Sequence, residues 1–88
     1  MAARGDRGDV AHLVQLRFAG RGWVTVGVGA DRVSAASRAG VLYRSLDAPD
    51  GEHATGVRVL SEDELRVEGG DRAVQAAALQ LARGSFDS

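Results

Sequence analysis

The stretch Gly22–Leu46, GWVTVGVGADRVSAASRAGVLYRSL, decides the fold of this chain. Its first part alternates valine with small or polar residues, which is typical of a strand with one buried face. A Gly-x-Gly turn follows, and Asp31 then precedes a run whose apolar residues recur every three or four positions. Asp is a preferred N-cap because its carboxylate accepts from free amides of the first helical turn. The stretch therefore predicts a strand, a turn and a helix over about Arg32–Leu46.

The predicted helix has an apolar face whose residues are small at its start and large at its end. A small-residue start predicts that the helix approaches the sheet closely there. Gly40 lies inside this helix and costs up to about 1 kcal/mol relative to alanine. The face consists of Ala35, Ala36, Ala39, Leu42, Tyr43 and Leu46.

Upstream, the alternation of residues 10–18 predicts another strand, joined to a strand over Gly22–Val28 by the turn at residues 19–21. A hairpin that pairs Leu16 with Val24 keeps the apolar rows of both strands on one face. The same register pairs Val14 with Val26 and places Val28 on that face.

The other face of this hairpin carries Trp23, the single tryptophan of the chain. The register places Arg17 opposite Trp23, which predicts a cation–π contact worth about 0.5–1 kcal/mol. Leu13 and Gln15 share this face, so the first strand has apolar residues on both sides.

After a loop at residues 47–52 with one proline, a third strand is predicted over Thr55–Leu60, with Val57 and Val59 facing inward. Residues 61–68 carry two conflicting signals. Ser61 and Glu64 have the spacing of a capping box, which predicts a helix start. The following alternation of apolar and charged residues instead predicts a fourth strand, and we favour the strand.

A second helix is predicted from Arg72 to about Arg83, capped by Asp71 and stopped by Gly84. The fold class is therefore α+β, a small antiparallel sheet of three or four strands with two helices on one face, in the order ββαβ(β)α. The domain spans residues 10–84. We expect residues 1–9 to be a disordered N-terminal tail and residues 85–88 to be a C-terminal tail.

Composition excludes several classes of site. The 88 residues form one domain that buries about 60–65% of its unfolded surface, so its core is thin and oligomerisation is expected. There is no cysteine, hence no disulfide framework, thiolate metal site or thiol nucleophile. The formal net charge of −1 provides no general attraction to nucleic acid or to anionic membranes.

All eleven basic residues are arginine, and isoleucine and asparagine are absent. This usage indicates a GC-rich bacterial genome rather than a functional need for arginine. No apolar run is long enough to span a bilayer, and the N-terminus has no apolar segment typical of a signal peptide, so we expect a cytoplasmic protein. On the same grounds, the two Arg-Gly-Asp tripeptides at residues 4–9 are interpreted as solvated tail rather than as an integrin ligand.

The candidate chemical motifs are weak. Gly27-x-Gly29 lacks the third glycine of a dinucleotide fingerprint, and Asp31 would repel a phosphate, so a structural turn is favoured. The histidines His12 and His53 have no metal-ligand spacing. The sequence thus indicates no catalytic residue, no cofactor and no metal, and it favours a protein that is not an enzyme.

We therefore expect a small protein–protein interaction or regulatory module, a homodimer that associates through an open sheet face around Trp23. One alternative is a nucleic-acid-binding domain that uses Trp23 and the arginines that could share that face, Arg17, Arg21, Arg58 and Arg66, although the charge makes nucleic acid an unfavourable partner. Another is a small-molecule binder or an enzyme with a pocket between subunits, near Tyr43, His12 and the Gly27–Asp31 turn. The expected interface residues are Leu13, Arg17, Arg21, Trp23 and Thr25.

Overall fold

The computed structural model describes residues 11–86 of the chain. The elements are β1 (His12–Phe18), β2 (Gly22–Gly29), α1 (Arg32–Ser45), β3 (Gly56–Ser61) and α2 (Glu62–Arg83). The strands form one antiparallel sheet in the order β2-β1-β3. The predicted α+β class, with a small antiparallel sheet and two helices, is confirmed. The predicted disordered tail and the Arg-Gly-Asp tripeptides lie outside the described residues.

The hairpin of β1 and β2 has the predicted register at its turn end. Leu16 lies opposite Val24, and Arg17 lies opposite Trp23. Beyond Gln15 the register shifts by one residue, so that Val14 lies opposite Gly27 rather than the predicted Val26. A β-bulge of this kind inserts one unpaired residue into one strand and changes the alternation that follows it.

The bulge changes the face of one predicted core residue. Val26 still packs with the cluster around Val14 and Ala35. Val28, however, pairs with Leu13 on the opposite face and is 44% exposed. The prediction that Val28 shares a face with Val24 and Val26 is wrong, because the extra residue reverses the period-two alternation.

Helix α1 begins as the sequence predicts. The amide of Ser34 donates to Oδ1 of Asp31 at 2.8 Å, so Asp31 is the N-cap. This hydrogen bond from the Ser34 amide is the main reason that the pKa of Asp31 is lowered from its ordinary value. Of the predicted apolar face, Ala36 and Tyr43 are exposed, whereas Ala35 and Ala39 are buried.

The start of α1 approaches β2 closely, as predicted from its small residues. A Cβ added to Gly29 would lie 2.5 Å from the backbone nitrogen of Ala35. A Cβ added to Gly27 would lie 3.0 Å from Cδ of Arg38. Gly27 and Gly29 lie at the end of β2 rather than in the predicted turn, and both make room for the helix.

Residues 61–68 start a helix, not a fourth strand. The amide of Glu64 donates to Oγ of Ser61 at 3.1 Å, and the amide of Ser61 donates to Oε1 of Glu64 at 2.7 Å. The second bond is the main reason that the pKa of Glu64 is lowered. The preferred strand prediction is wrong because the complete capping box satisfies two amides, and the helix also buries Leu65.

Helix α2 is bent within its length. Gly70 has φ 77° and ψ −173°, which separates a first helical segment from a second one. The second segment follows Gly70, close to the start predicted at Arg72, but the side chain of Asp71 does not cap it: Oδ1 of Asp71 accepts from Nε of Arg66 at 2.7 Å. The predicted stop is confirmed, since Gly84 is the C-cap with φ 88°.

The two helices lie on opposite faces of the sheet. Ala35 and Ala39 of α1 pack against Val14, whereas Leu65 and Ala77 of α2 pack against Leu13 and Leu60. The prediction of both helices on one face is wrong because β1 has apolar residues on both sides, and each side is buried by a different helix. Neither helix within residues 11–86 is long and apolar enough to cross a membrane.

The chain after α2 returns to the core. The ring of Phe86 meets that of Phe18 edge-on, with centroids 5.3 Å apart and an interplanar angle of 73°. Phe18 is 1% exposed and belongs to the cluster with Leu16 and Val24 on the α1 face. Phe86 therefore connects the end of α2 to the core that α1 covers.

Candidate functional site

Helix α2 covers much of the sheet face that was expected to be an open interface. Of the five predicted residues, Leu13 is 5% exposed and Thr25 is fully buried. Leu13 packs with Leu65 and Ala77 of α2. The predicted exposure of Leu13 and Thr25 is therefore wrong, because α2 occupies this face.

Three of the predicted residues remain accessible at the end of the sheet that carries the β1–β2 turn. We call Arg17, Arg21 and Trp23 the turn-end surface. Arg17 is exposed and makes no ion pair within residues 11–86. Arg21 lies 3.8 Å from Asp50 and places its guanidinium carbon 5.6 Å from the ring centroid of Phe86. Trp23 is half-buried.

The cation on Trp23 is Arg58 rather than the predicted Arg17. The guanidinium carbon of Arg58 lies 4.3 Å from the ring centroid. The indole extends across the sheet toward β3, where its Cη2 lies 3.5 Å from the position that a Cβ on Gly56 would take. Arg17 lies opposite Trp23 in the backbone register, as predicted. The indole, however, is long enough to cross β1 and reach Arg58 on β3, two strands away.

A row of polar side chains crosses the middle of this face beneath α2. Nε2 of Gln15 donates to Oγ1 of Thr25 at 3.0 Å, and Nε of Arg58 donates to Oε1 of Gln15 at 2.8 Å. The amide of Thr25 donates to Oε1 of Gln80 at 2.7 Å. Gln15 and Thr25 are buried, so these bonds offset the cost of removing two polar groups from water.

Arg58 also connects the sheet to the first segment of α2. Its two terminal nitrogens donate to the two carboxylate oxygens of Glu68 at 3.0 and 2.9 Å. Such a two-bond pair fixes the orientation of both groups. Arg58 therefore holds Glu68, Gln15 and Trp23 together through one side chain.

Between α2 and the sheet lies a groove of about 230 Å³. Trp23 and side chains of the polar row line it on the sheet side, and small residues of α2 line it on the helix side. We call it the α2 groove. Its lining residues are Gln15, Trp23, Thr25, Arg58, Leu65, Glu68, Ala73, Ala76, Ala77 and Gln80.

Sequence reasoning missed Gln15, Glu68 and Gln80 as organising residues of this site, and it placed Arg58 on the Trp23 face only as a possible contact to nucleic acid. Gln15 offered one signal, since it is a polar residue within an otherwise apolar stretch of β1. Glu68 and Gln80 could not be found by local pattern. Each lies at least 43 positions from Gln15 in the chain, and nothing in its own neighbourhood distinguishes it from a solvated polar residue.

The described residues contain no group of three or more His, Asp or Glu side chains that could hold a metal ion. Nδ1 of His53 lies 2.7 Å from Oδ1 of Asp47 in the loop before β3, where the His53 side chain is largely exposed and that of Asp47 is about half exposed. Tyr43 is exposed on α1, and the Gly27–Gly29 segment contacts α1. The site with the most organised polar chemistry is therefore the α2 groove beside the turn-end surface.

Comparison with protein-family models, with curated proteins and with solved structures gives no significant match to this chain. Function is therefore inferred from the geometry.

Proposed function

We propose that this protein is a non-enzymatic protein–protein interaction module that forms a homodimer through the turn-end surface. The observation that carries the proposal is the exposed Arg17, which has no ion pair within residues 11–86 and lies beside the half-buried Trp23. Arginine and tryptophan are the residues most enriched at energetic centres of protein interfaces. We propose that this interaction takes place in the cytoplasm.

The surface has the mixed charge that a two-fold contact needs. In a two-fold interface the same patch faces itself, so each copy must supply both members of every pair. Arg17 supplies a cation, while Asp50 and Glu68 lie near the turn-end surface with carboxylates that are 61% and 55% exposed. We therefore expect Arg17 of each copy to contact a carboxylate of the other.

The test is light scattering over a concentration series at low and high salt. We expect a dimer whose dissociation constant rises with salt, because the contact includes exposed charges. Arg17→Glu should weaken the dimer at least tenfold. The control is Arg44→Glu on α1, since Arg44 is also exposed and without an ion pair within residues 11–86.

A monomer at every accessible concentration would overturn the homodimer, and equal weakening by both charge reversals would overturn the location. Trp23→Ala supplies a second check on location. Circular dichroism must show that each variant keeps its fold, since Trp23 also contacts Arg58.

The structure weakens the case for nucleic acid as the partner. Stacking of bases needs an open aromatic face, and Arg58 already lies over the Trp23 ring. Arg66, which the fourth-strand prediction placed on the sheet, lies on α2 and pairs with Asp63 and Asp71. Salt-dependent binding of single-stranded oligonucleotides would reverse this preference.

A further inference from the structure

We propose that the α2 groove binds a neutral, planar carbonyl compound, such as an amide or a lactam, of about ten non-hydrogen atoms. This inference goes beyond the proposed dimer, because it concerns the space beneath α2 rather than the exposed turn end.

The groove exists because α2 presents small residues where it crosses the polar row. Ala73, Ala76 and Ala77 line the groove on the helix side, and Leu65 lines it where the groove meets the neighbouring cluster with Leu13. A cavity of about 150 Å³ holds benzene, and each water takes about 30 Å³ in the liquid. The roughly 230 Å³ here thus suits a single-ring compound with one polar substituent.

The hydrogen bonds in the groove determine which groups remain free. Oε1 of Gln15 accepts from Arg58, and Oε1 of Gln80 accepts from the amide of Thr25. Both of those partners can only donate, so the orientation of each carboxamide is fixed. The side-chain nitrogen of Gln80 makes no hydrogen bond within residues 11–86.

One further donor is free on the same basis. Gln15 uses one of its two N–H groups to reach Oγ1 of Thr25. Thr25 is fully buried, so its hydroxyl is out of reach of a ligand. The carboxamides of Gln15 and Gln80, which both line the groove, therefore present unused N–H groups. A carbonyl oxygen is the group that such donors bind.

The charge of the groove selects against ions. Arg58 is the cation of the lining, but both of its terminal nitrogens are bonded to Glu68. An anionic ligand would find no free cation and would meet the Glu68 carboxylate. A cationic ligand would face the positive ends of the unused N–H donors. A neutral carbonyl compound accepts from these donors and avoids both unfavourable contacts.

NMR signals from the protein's own side chains can report binding in the α2 groove. It contains three glutamines, Gln15, Gln75 and Gln80, and no asparagine, so its side-chain amide spectrum by NMR has few signals. Gln15 and Gln80 line the groove, whereas Gln75 is exposed on α2. Titration with benzamide should shift the side-chain amides of Gln15 and Gln80 and the indole N–H of Trp23, with saturation at a Kd of about 1 mM or below. The Gln75 signal should stay in place.

Two variants and two further probes make the test specific. Ala76→Leu fills the groove and should weaken benzamide at least tenfold, whereas Ala78→Leu, at an exposed position outside the lining, should bind like the wild type. Gln80→Glu keeps the acceptor for the Thr25 amide but removes the N–H donors of this side chain and adds a negative charge, so it should also weaken benzamide binding. Benzoate and toluene should each bind several-fold more weakly than benzamide.

Absence of saturable shifts with benzamide would overturn the site. Equal binding of toluene would show that the donors play no part, and equal binding of benzoate would overturn the argument from charge. Unchanged binding by both Ala76→Leu and Gln80→Glu would place the ligand elsewhere.

Discussion

A single polar residue, Gln15, organises the α2 face of the sheet. It is 5% exposed and lies between Val14 and Leu16, which are fully buried. A buried carboxamide is costly without hydrogen bonds, so its partners Thr25 and Arg58 are required for stability as well as for the groove. The same residue that interrupts the apolar pattern of β1 thus defines the polar row beneath α2.

Gly29 is important because it has no side chain. A Cβ there would lie 2.5 Å from the nitrogen of Ala35, which is backbone and cannot rotate away. We expect Gly29→Ala to lower the free energy of unfolding by about 1–3 kcal/mol, as overpacking does in other cores. Urea denaturation measures the change.

The control is Gly20→Ala in the β1–β2 turn, where an added Cβ meets nothing within 4 Å. It should change the free energy of unfolding by less than about 0.5 kcal/mol. A Gly29→Ala protein as stable as the wild type would show that α1 can move away from β2 without cost.

Among the elements, α2 shows how two local signals compete. The alternation of Leu65 and Val67 is compatible with a strand, and the pairing of Ser61 with Glu64 is compatible with a helix. As a helix, Leu65 reaches the cluster with Leu13 and Leu60, while Val67 remains 89% exposed. The helix prevails because it buries Leu65 and completes both bonds of the capping box.

Alanine substitutions at Gly70 in α2 and at Gly40 in α1 should have opposite effects on stability. Gly70 has φ 77° and ψ −173°, a backbone region that is essentially restricted to glycine, so Gly70→Ala should cost about 1–3 kcal/mol. Gly40 lies within α1, where an added Cβ meets only Nη1 of Arg44 at 3.8 Å. Gly40→Ala should therefore stabilise the protein by about 0.5–1 kcal/mol.

Thermal and urea unfolding of both variants provide the measurement. Opposite signs are the expected result. A neutral Gly70→Ala would show that α2 can straighten over the sheet, and a destabilising Gly40→Ala would show that α1 has a closer neighbour on its outer side.

In the whole molecule, side chains of the helices cover the faces of the sheet and reach both of its edges. The order β2-β1-β3 leaves β2 and β3 as edges, which are sites of unwanted pairing in many sheets. Gln80 accepts from the Thr25 amide on β2, and Arg32 donates to the Val59 carbonyl on β3 at 3.4 Å. One backbone group on each edge strand is thus bonded to a helix side chain, which disfavours strand pairing at that position.

A substitution at Phe86 measures how much its contact with the core contributes to the stability of the protein. Its ring meets Phe18 at 5.3 Å and is half-buried. We expect Phe86→Ala to lower the free energy of unfolding by about 1–2 kcal/mol, less than the 3–5 kcal/mol typical of a fully buried phenylalanine. Val67→Ala, at an 89% exposed position, is the control and should be nearly neutral. Equal effects of the two changes would show that Phe86 does not hold the end of α2.

Local sequence was sufficient for the features that depend on neighbouring residues. The cap at Asp31, the stop at Gly84 and the pairing of Leu16 with Val24 follow from hydrogen bonds and alternation within a few positions. These signals are short-range, so they are visible without knowledge of the rest of the chain.

The site depended instead on contacts between distant segments. The bond from the Thr25 amide to Gln80 joins residues 55 positions apart, and the bond from Arg58 to Gln15 joins residues 43 apart. Alternation states which residues share a face of β1, but not which helix will cover that face. Both faces of β1 carry apolar residues, and each face is buried by a different helix. This arrangement places α2 over Gln15, holds Arg58 on Trp23 and forms the groove.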